Sequence, residues 1–134
     1  MTGLWSSCDD RACVEVDIGA FVWYRAQEGA FIDMKMYLLV RRSVPIGFAL
    51  VAVAHASLAA YLKFRDHPDV AAWLAGPFRK VICAVSDEEF EAAKRTDDSV
   101  VITESALGGA EVAIAFRPRS VWPESFRSYQ LYRA

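Results

Sequence analysis

Two side chains have the chemistry and the setting that acid–base catalysis needs. His55 lies in an alanine-rich apolar stretch, and an imidazole titrates in the range that suits a general base. Glu104 follows an apolar run, and its carboxylate could orient the imidazole or a water molecule if the two segments converge. The alternative for His55 is a buried, hydrogen-bonded helix histidine, and the alternative for Glu104 is a solvated loop carboxylate. At the level of sequence these alternatives stay open.

A turn and several basic residues could bind an anion. Gly47 lies in a turn before a predicted helix, and the free amides of a helix N-terminus hold an anion without any side chain. Basic residues at the ends of predicted strands could form a shared rim that attracts phosphates: Arg41, Arg42, Arg79, Lys80, Arg117 and Arg119. Such residues are also typical of an ordinary solvated surface. Trp122 and Tyr129 could stack on bases or pack against the sheet.

The three cysteines do not indicate a metal site or a disulfide framework. Cys8, Cys13 and Cys83 are odd in number and have no C-x-x-C spacing. Cys83 lies inside an apolar run, which favours a small core residue over a nucleophile. The first residues also lack the basic and apolar regions of a signal peptide. We therefore predict no metal or other cofactor, and a reducing, cytoplasmic setting.

Length and composition predict one foldable domain that is not a basic nucleic-acid module. The 134 residues are 54% hydrophobic and 24% charged, with a net charge of −2. The charge is uneven, because residues 1–33 hold two Lys/Arg and six Asp/Glu, whereas residues 34–134 hold thirteen and eleven. Any contact with phosphates is therefore expected in the second part.

The stretch 44–62 is long enough to be considered as a membrane span, which needs about 20 apolar residues. Its apolar residues are mostly Ala and Val, Pro45 and Gly47 interrupt its start, and His55 would lie near the middle of the bilayer. We therefore expect a helix that protein covers on most sides, and no membrane partner. Because so apolar a helix is unusual on the surface of a monomer, a homodimer is also expected.

Proline, glycine and charge clusters divide the chain into the order β-α-α-β-α-β-β-α-(β). The predicted strands are 35–40, 79–85, 99–103, 112–116 and 130–133, and the predicted helices are 48–64, 69–74, 86–94 and one that begins at 123. Ser86 and Glu89 have the spacing of a capping box. Since only some connections carry crossover helices, we expect a single layered α/β domain, with a mixed four- to five-stranded sheet flanked by helices.

Residues 1–33 do not fit this order. Residues 14–16 alternate like a strand and residues 21–24 hold an aromatic cluster, but no partner pattern is visible. Met34 and Met36 stand at the beginning of the first strand, so an internal start is plausible. The predicted organisation is a poorly defined N-terminal extension over 1–33 and a folded domain over 34–134.

Several motifs occur in a recognisable order. Arg41 ends the first strand, Gly47 lies at the turn, and the helix contains AHASLAAY over residues 54–61. Trp73, RKVICAVSDEE (79–89) and VAIAFRP (112–118) follow. This arrangement resembles the type 2 peptidyl-tRNA hydrolases, small α/β proteins in which an arginine ends the first strand and a Gly-Lys pair opens a histidine-containing helix. The resemblance covers about one hundred residues with the motifs in the right order, which implies a peptidyl-tRNA hydrolase II-like fold.

The resemblance also implies a damaged hydrolytic site. Aligning His55 with the family's helix histidine puts Phe48 where the catalytic lysine belongs and Ala52 where the glutamine belongs. Ser43 replaces the aspartate after the first strand, and Glu104 is the candidate for the acidic residue after the third. Losing one preorganised oxyanion donor costs about 10²–10³ in rate. The resemblance thus implies that hydrolysis of peptidyl-tRNA is weak, altered or lost.

Two functions follow from these observations. The first is a divergent ester hydrolase that acts on peptidyl- or acyl-tRNA through His55, Glu104 and helix-end amides, with tRNA as its partner. The second is a non-enzymatic binding or assembly module on the same scaffold. The second function predicts that the space around Phe48 and Ala52 is filled or apolar.

Overall fold

The structure is a computed structural model that describes residues 33–133 in full and the backbone alone of residues 13–17 and 20–23. The elements are β1 (Cys13–Asp17), β2 (Ala20–Trp23), β3 (Lys35–Arg41), α1 (Ile46–Phe64), α2 (Pro68–Ala75), β4 (Arg79–Val85), α3 (Asp87–Ala93), β5 (Ser99–Glu104), a 3-10 turn (Ser105–Leu107), β6 (Ala110–Phe116), α4 (Ser125–Ser128) and β7 (Gln130–Leu131). The predicted order of helices and strands from β3 onward is confirmed.

The main sheet has five strands in the order β5-β6-β3-β4-β7. β3 and β4 are parallel and are joined through α1 and α2, whereas the other neighbouring pairs in this sheet are antiparallel. The prediction of a mixed sheet in an α/β domain is therefore confirmed. β1 and β2 form a separate antiparallel pair, so the strand predicted at residues 14–16 has a partner after all. Cys8 and Tyr24 lie outside the described residues.

α1 begins at Ile46, two residues earlier than predicted, because Pro45 acts as its N-cap. The proline holds an extended backbone there, with φ of −58° and ψ of 146°. Small residues recur every three or four positions along one side of α1, and this side lies against β3, β5 and β6: Ala49, Ala52, Ala56 and Ala60. Alanine lets the helix axis approach the sheet closely.

The capping box predicted before α3 is present with both of its hydrogen bonds. The backbone N–H of Glu89 donates to the Ser86 hydroxyl at 3.2 Å, and the backbone N–H of Ser86 donates to the Glu89 carboxylate at 2.8 Å. The box stops β4 and starts α3 within one residue. Asp87, the first residue of α3, is thereby held at the carboxyl end of β4.

Alternate residues of β3 belong to two cores, one on each face of the sheet. Met36, Leu38 and Val40 pack with α1 and α2 in what we call the α1-side core. Tyr37 and Leu39 pack with residues of α3 and α4 in the α3-side core. Residues 33–133 thus form three layers, because side chains on both faces of β3 are covered.

The outer side of α1 is uncovered in the described part of the chain. By length and composition the helix could span a membrane. An 18-residue stretch of it has a mean hydropathy of 1.6, and 22% of that stretch is buried. Its exposed large side chains are Ile46, Leu50, Val51, Leu58 and Leu62. The expectation that protein covers this helix on most sides is therefore wrong within the described residues. The packed alanine side is ordinary for an α/β domain.

Candidate functional site

An open cleft of about 400 Å³ lies where β3 ends and β6 begins. It is at the ends of the strands of the main sheet and not beside an outer strand, and we call this end of the sheet the cleft edge. Its lining comes from the β3–α1 connection (Arg41, Ser43, Val44, Pro45), the start of α3 (Asp87), the 3-10 turn (Leu107) and the start of β6 (Ala110, Glu111, Val112). β3 and β4 are parallel, so their carboxyl ends share this edge. Ligands of open α/β sheets bind outside the carboxyl ends of the strands, which makes this cleft the candidate site.

The guanidinium of Arg41 is fully engaged by groups around the cleft. Nη1 donates to the Asp87 carboxylate, Nη2 to the Glu91 carboxylate and Nε to the backbone carbonyl of Glu111, each at 2.8 Å. The guanidinium carbon also lies 3.9 Å from the centre of the Phe90 ring. Arg41 therefore joins β3 to α3 and β6, and an incoming phosphate would compete with two carboxylates for it.

Acidic groups offset the cation of the cleft. Glu111 accepts a hydrogen bond at 2.7 Å from Nζ of Lys94, a residue that does not line the cleft. Hydrogen bonds from Arg41 and Lys94 hold the pKa of the Glu91 carboxyl below its usual range. The lining thus carries Asp87 and Glu111 against Arg41, a balance that does not favour a polyanion.

The N-terminus of α1 offers free backbone donors beside the cleft. The first intrahelical bond runs from the N–H of Ala49 to the carbonyl of Pro45 at 2.9 Å, so the N–H groups of Ile46, Gly47 and Phe48 have no partner inside the helix. No side chain among the described residues caps this end. A Cβ added at Gly47 would meet nothing within 4 Å, so the space beside its backbone is open.

Phe48 and Ala52 have packing roles. Phe48 is partly buried and packs against the α1-side core, and Ala52 is 1% exposed. Neither residue lines the cleft. The positions at which the resemblance would require a cation and an amide are therefore part of the packing between α1 and the sheet, and the space around them is filled and apolar.

His55 lies on the uncovered side of α1 and is exposed. It stands nine residues after the first residue of the helix, which is about 13 Å along the axis, and it does not line the cleft. Its imidazole forms no hydrogen bond or ion pair within residues 33–133. The buried, hydrogen-bonded alternative is therefore wrong, and the position does not bring the ring to the cleft.

Glu104 has a local structural role. Its carboxylate accepts a hydrogen bond from the backbone N–H of Ala106 at 3.0 Å and so caps the 3-10 turn. It is partly buried and does not line the cleft. No hydrogen bond joins Glu104 to His55 in the described chain. Ser43, by contrast, is exposed and lines the cleft, so it is the better placed of the predicted polar residues.

The predicted basic residues lie at two opposite edges of the sheet. β6 is antiparallel to β3, and beyond its end the backbone of Arg119 pairs with that of Lys35, the first residue of β3. This edge is separated from Arg41 by the length of β3, about 20 Å. Arg41 and Arg42 lie at the cleft edge, whereas Arg79, Lys80, Arg117 and Arg119 lie at the other. The expectation of one shared rim is therefore wrong.

The arginines at the far edge are bound within the chain. Arg117 pairs with Asp69 and also donates from Nε to the Asp98 carboxylate at 2.9 Å. Arg119 donates from Nη2 to the backbone carbonyl of Asp97 at 2.7 Å, and burial lowers the pKa of its guanidinium. These contacts fasten the segments after β6 and before β5 to α2.

The aromatic and sulfur groups have packing roles. Trp122 and Tyr129 pack against the α3-side core, and the Trp122 indole N–H donates to the carbonyl of Arg119 at 2.9 Å. Cys83 is 1% exposed, and burial together with the charge of Glu89 raises the pKa of its thiol to about 11. The prediction that Cys83 is a core residue is confirmed. In the described chain no group of three or more His, Cys, Asp or Glu side chains could hold a metal ion.

Neither the protein-family models nor the curated proteins compared with this chain include one that matches it. The structure by itself defines the chain as an α/β protein with an open, mixed five-stranded sheet and a cleft at the carboxyl ends of its parallel strands.

Sequence reasoning missed the two carboxylates of the cleft. Asp87 was hidden within the acidic run that begins α3, although its place directly after a strand parallel to β3 was a usable signal. Glu111 had no local signal. It reaches the cleft because β6 is inserted between β5 and β3, which only the strand order shows.

Proposed function

We propose that this chain is a divergent protein on the scaffold of the type 2 peptidyl-tRNA hydrolases, in which ester hydrolysis of peptidyl-tRNA is weak, altered or lost. Support comes from the ordered motifs of the sequence and from the cleft at the carboxyl edge of β3 and β4. One observation carries the proposal: Phe48 and Ala52 belong to the packing between α1 and the sheet and present no cation or amide to the cleft.

The remaining groups of the cleft could still bind an ester or an anion. The amides at the start of α1 and the hydroxyl of Ser43 are donors that could polarise a carbonyl. The carboxylates of Asp87 and Glu111 accept hydrogen bonds from Arg41 and Lys94. A bound ester would therefore be held without the lysine, at a cost of about 10²–10³ in rate.

A second candidate function is a binding or assembly module that does not act on tRNA. The observation that favours it is the division of the basic residues between two edges of the sheet, with Arg41 and Arg117 each bound to two carboxylates. A surface that binds a phosphate backbone needs cations on one face that are free to contact the phosphates and displace their counterions.

The test is hydrolysis of an N-blocked aminoacyl-tRNA by the full chain, with Phe48→Lys as the variant and Phe48→Leu as its matched control. Both substitutions remove the partly buried ring, but only lysine adds a cation, on the first turn of α1 and three residues after Pro45 of the cleft lining. We expect little turnover by the wild type, a gain for Phe48→Lys that recovers part of the factor of about 10²–10³, and no gain for Phe48→Leu. Ala52→Gln would not serve as a second restoring substitution, because Ala52 is buried and has no space for a longer side chain.

Binding of the same tRNA, measured by filter retention at two salt concentrations, separates the two candidate functions. Salt-dependent binding together with a gain for Phe48→Lys supports the divergent hydrolase. Full turnover by the wild type would overturn the view that activity is weakened. Absence of both binding and gain would overturn the divergent hydrolase and favour the module that does not act on tRNA.

A further inference from the structure

We draw no further inference here: the strongest candidate, the pair of carboxylates of Asp87 and Glu111 that line the cleft, belongs to the site already described, where the two side chains already accept hydrogen bonds from Arg41 and Lys94 respectively.

Discussion

Arg41 Nη1 donates a hydrogen bond to Asp87 Oδ1 at 2.8 Å, and this contact ties the end of β3 to the start of α3 beside the cleft. The two residues are 46 positions apart in the chain. They meet because β3 and β4 are parallel, so that the last residue of β3 and the residues just after β4 lie at the same edge. The cation of the cleft is therefore a structural tie as much as a ligand group.

Replacing Arg41 with alanine should lower the free energy of unfolding by about 1–3 kcal/mol, because three hydrogen bonds and the contact with Phe90 are lost together. The matched control is Arg42→Ala, whose side chain is exposed and makes one long contact of 3.4 Å to the carbonyl of Ala84. The control should change stability by less than about 0.5 kcal/mol. Urea unfolding measures both, and equal effects would contradict the structural role of Arg41.

Ala52→Gln should destabilise the chain by about 1–3 kcal/mol, because a longer side chain at a residue 1% exposed forces α1 away from the sheet. Ala71→Gln places the same side chain on the exposed face of α2 and should be close to neutral. Thermal unfolding followed by circular dichroism compares the two. If Ala52→Gln were neutral, the position would face open space and the account of a filled site would fail.

Asp98 should contribute stability that depends on pH. The hydrogen bond from Arg117 holds the pKa of its carboxyl below the ordinary value of 3.8. A depressed pKa stabilises the fold above the ordinary value, and this stabilisation is lost as the pH falls through the lower, folded value. Asp98→Asn should therefore be less stable than the wild type at pH 7, with the difference shrinking below pH 3.8.

Asparagine suits this comparison because the backbone of Asp98 has φ of 58°, a left-handed conformation in which both asparagine and aspartate are enriched. The substitution thus removes the charge without adding backbone strain. Urea midpoints across the pH series give the measurement. A difference that stays constant down to pH 2 would show that the ion pair with Arg117 is not the cause.

Cys83 should resist alkylation in the folded protein. Burial raises the pKa of its thiol from 9.0 to about 11, so the reactive thiolate is scarce at pH 8, and the side chain is 1% exposed. Iodoacetamide labelling followed by peptide mass spectrometry should show Cys83 unmodified under native conditions and modified in urea. Equal labelling in both conditions would place the thiol at the surface.

The local elements of this fold could be predicted from the sequence because their causes are short-range. The strand at residues 35–40 and the Ser86–Glu89 capping box have causes within a few residues, and each produced the expected element. Pro45 and Pro68, which the structure places at the starts of α1 and α2, also act locally. The mixed sheet followed from which connections contain helices. The burial of Cys83 could be predicted from the apolar residues on either side of it in the sequence.

The site was decided by tertiary structure. β6 runs antiparallel between β5 and β3, and two features of the site follow from this. The edge bearing Arg119 lies opposite the edge bearing Arg41, and Glu111 reaches the cleft. The exposure of His55 depends on which side of α1 packs on the sheet, and alanines occur on both sides of that helix. Hydrophobic periodicity specifies an element, but strand order and helix facing depend on contacts between residues far apart in the chain, which no local pattern encodes.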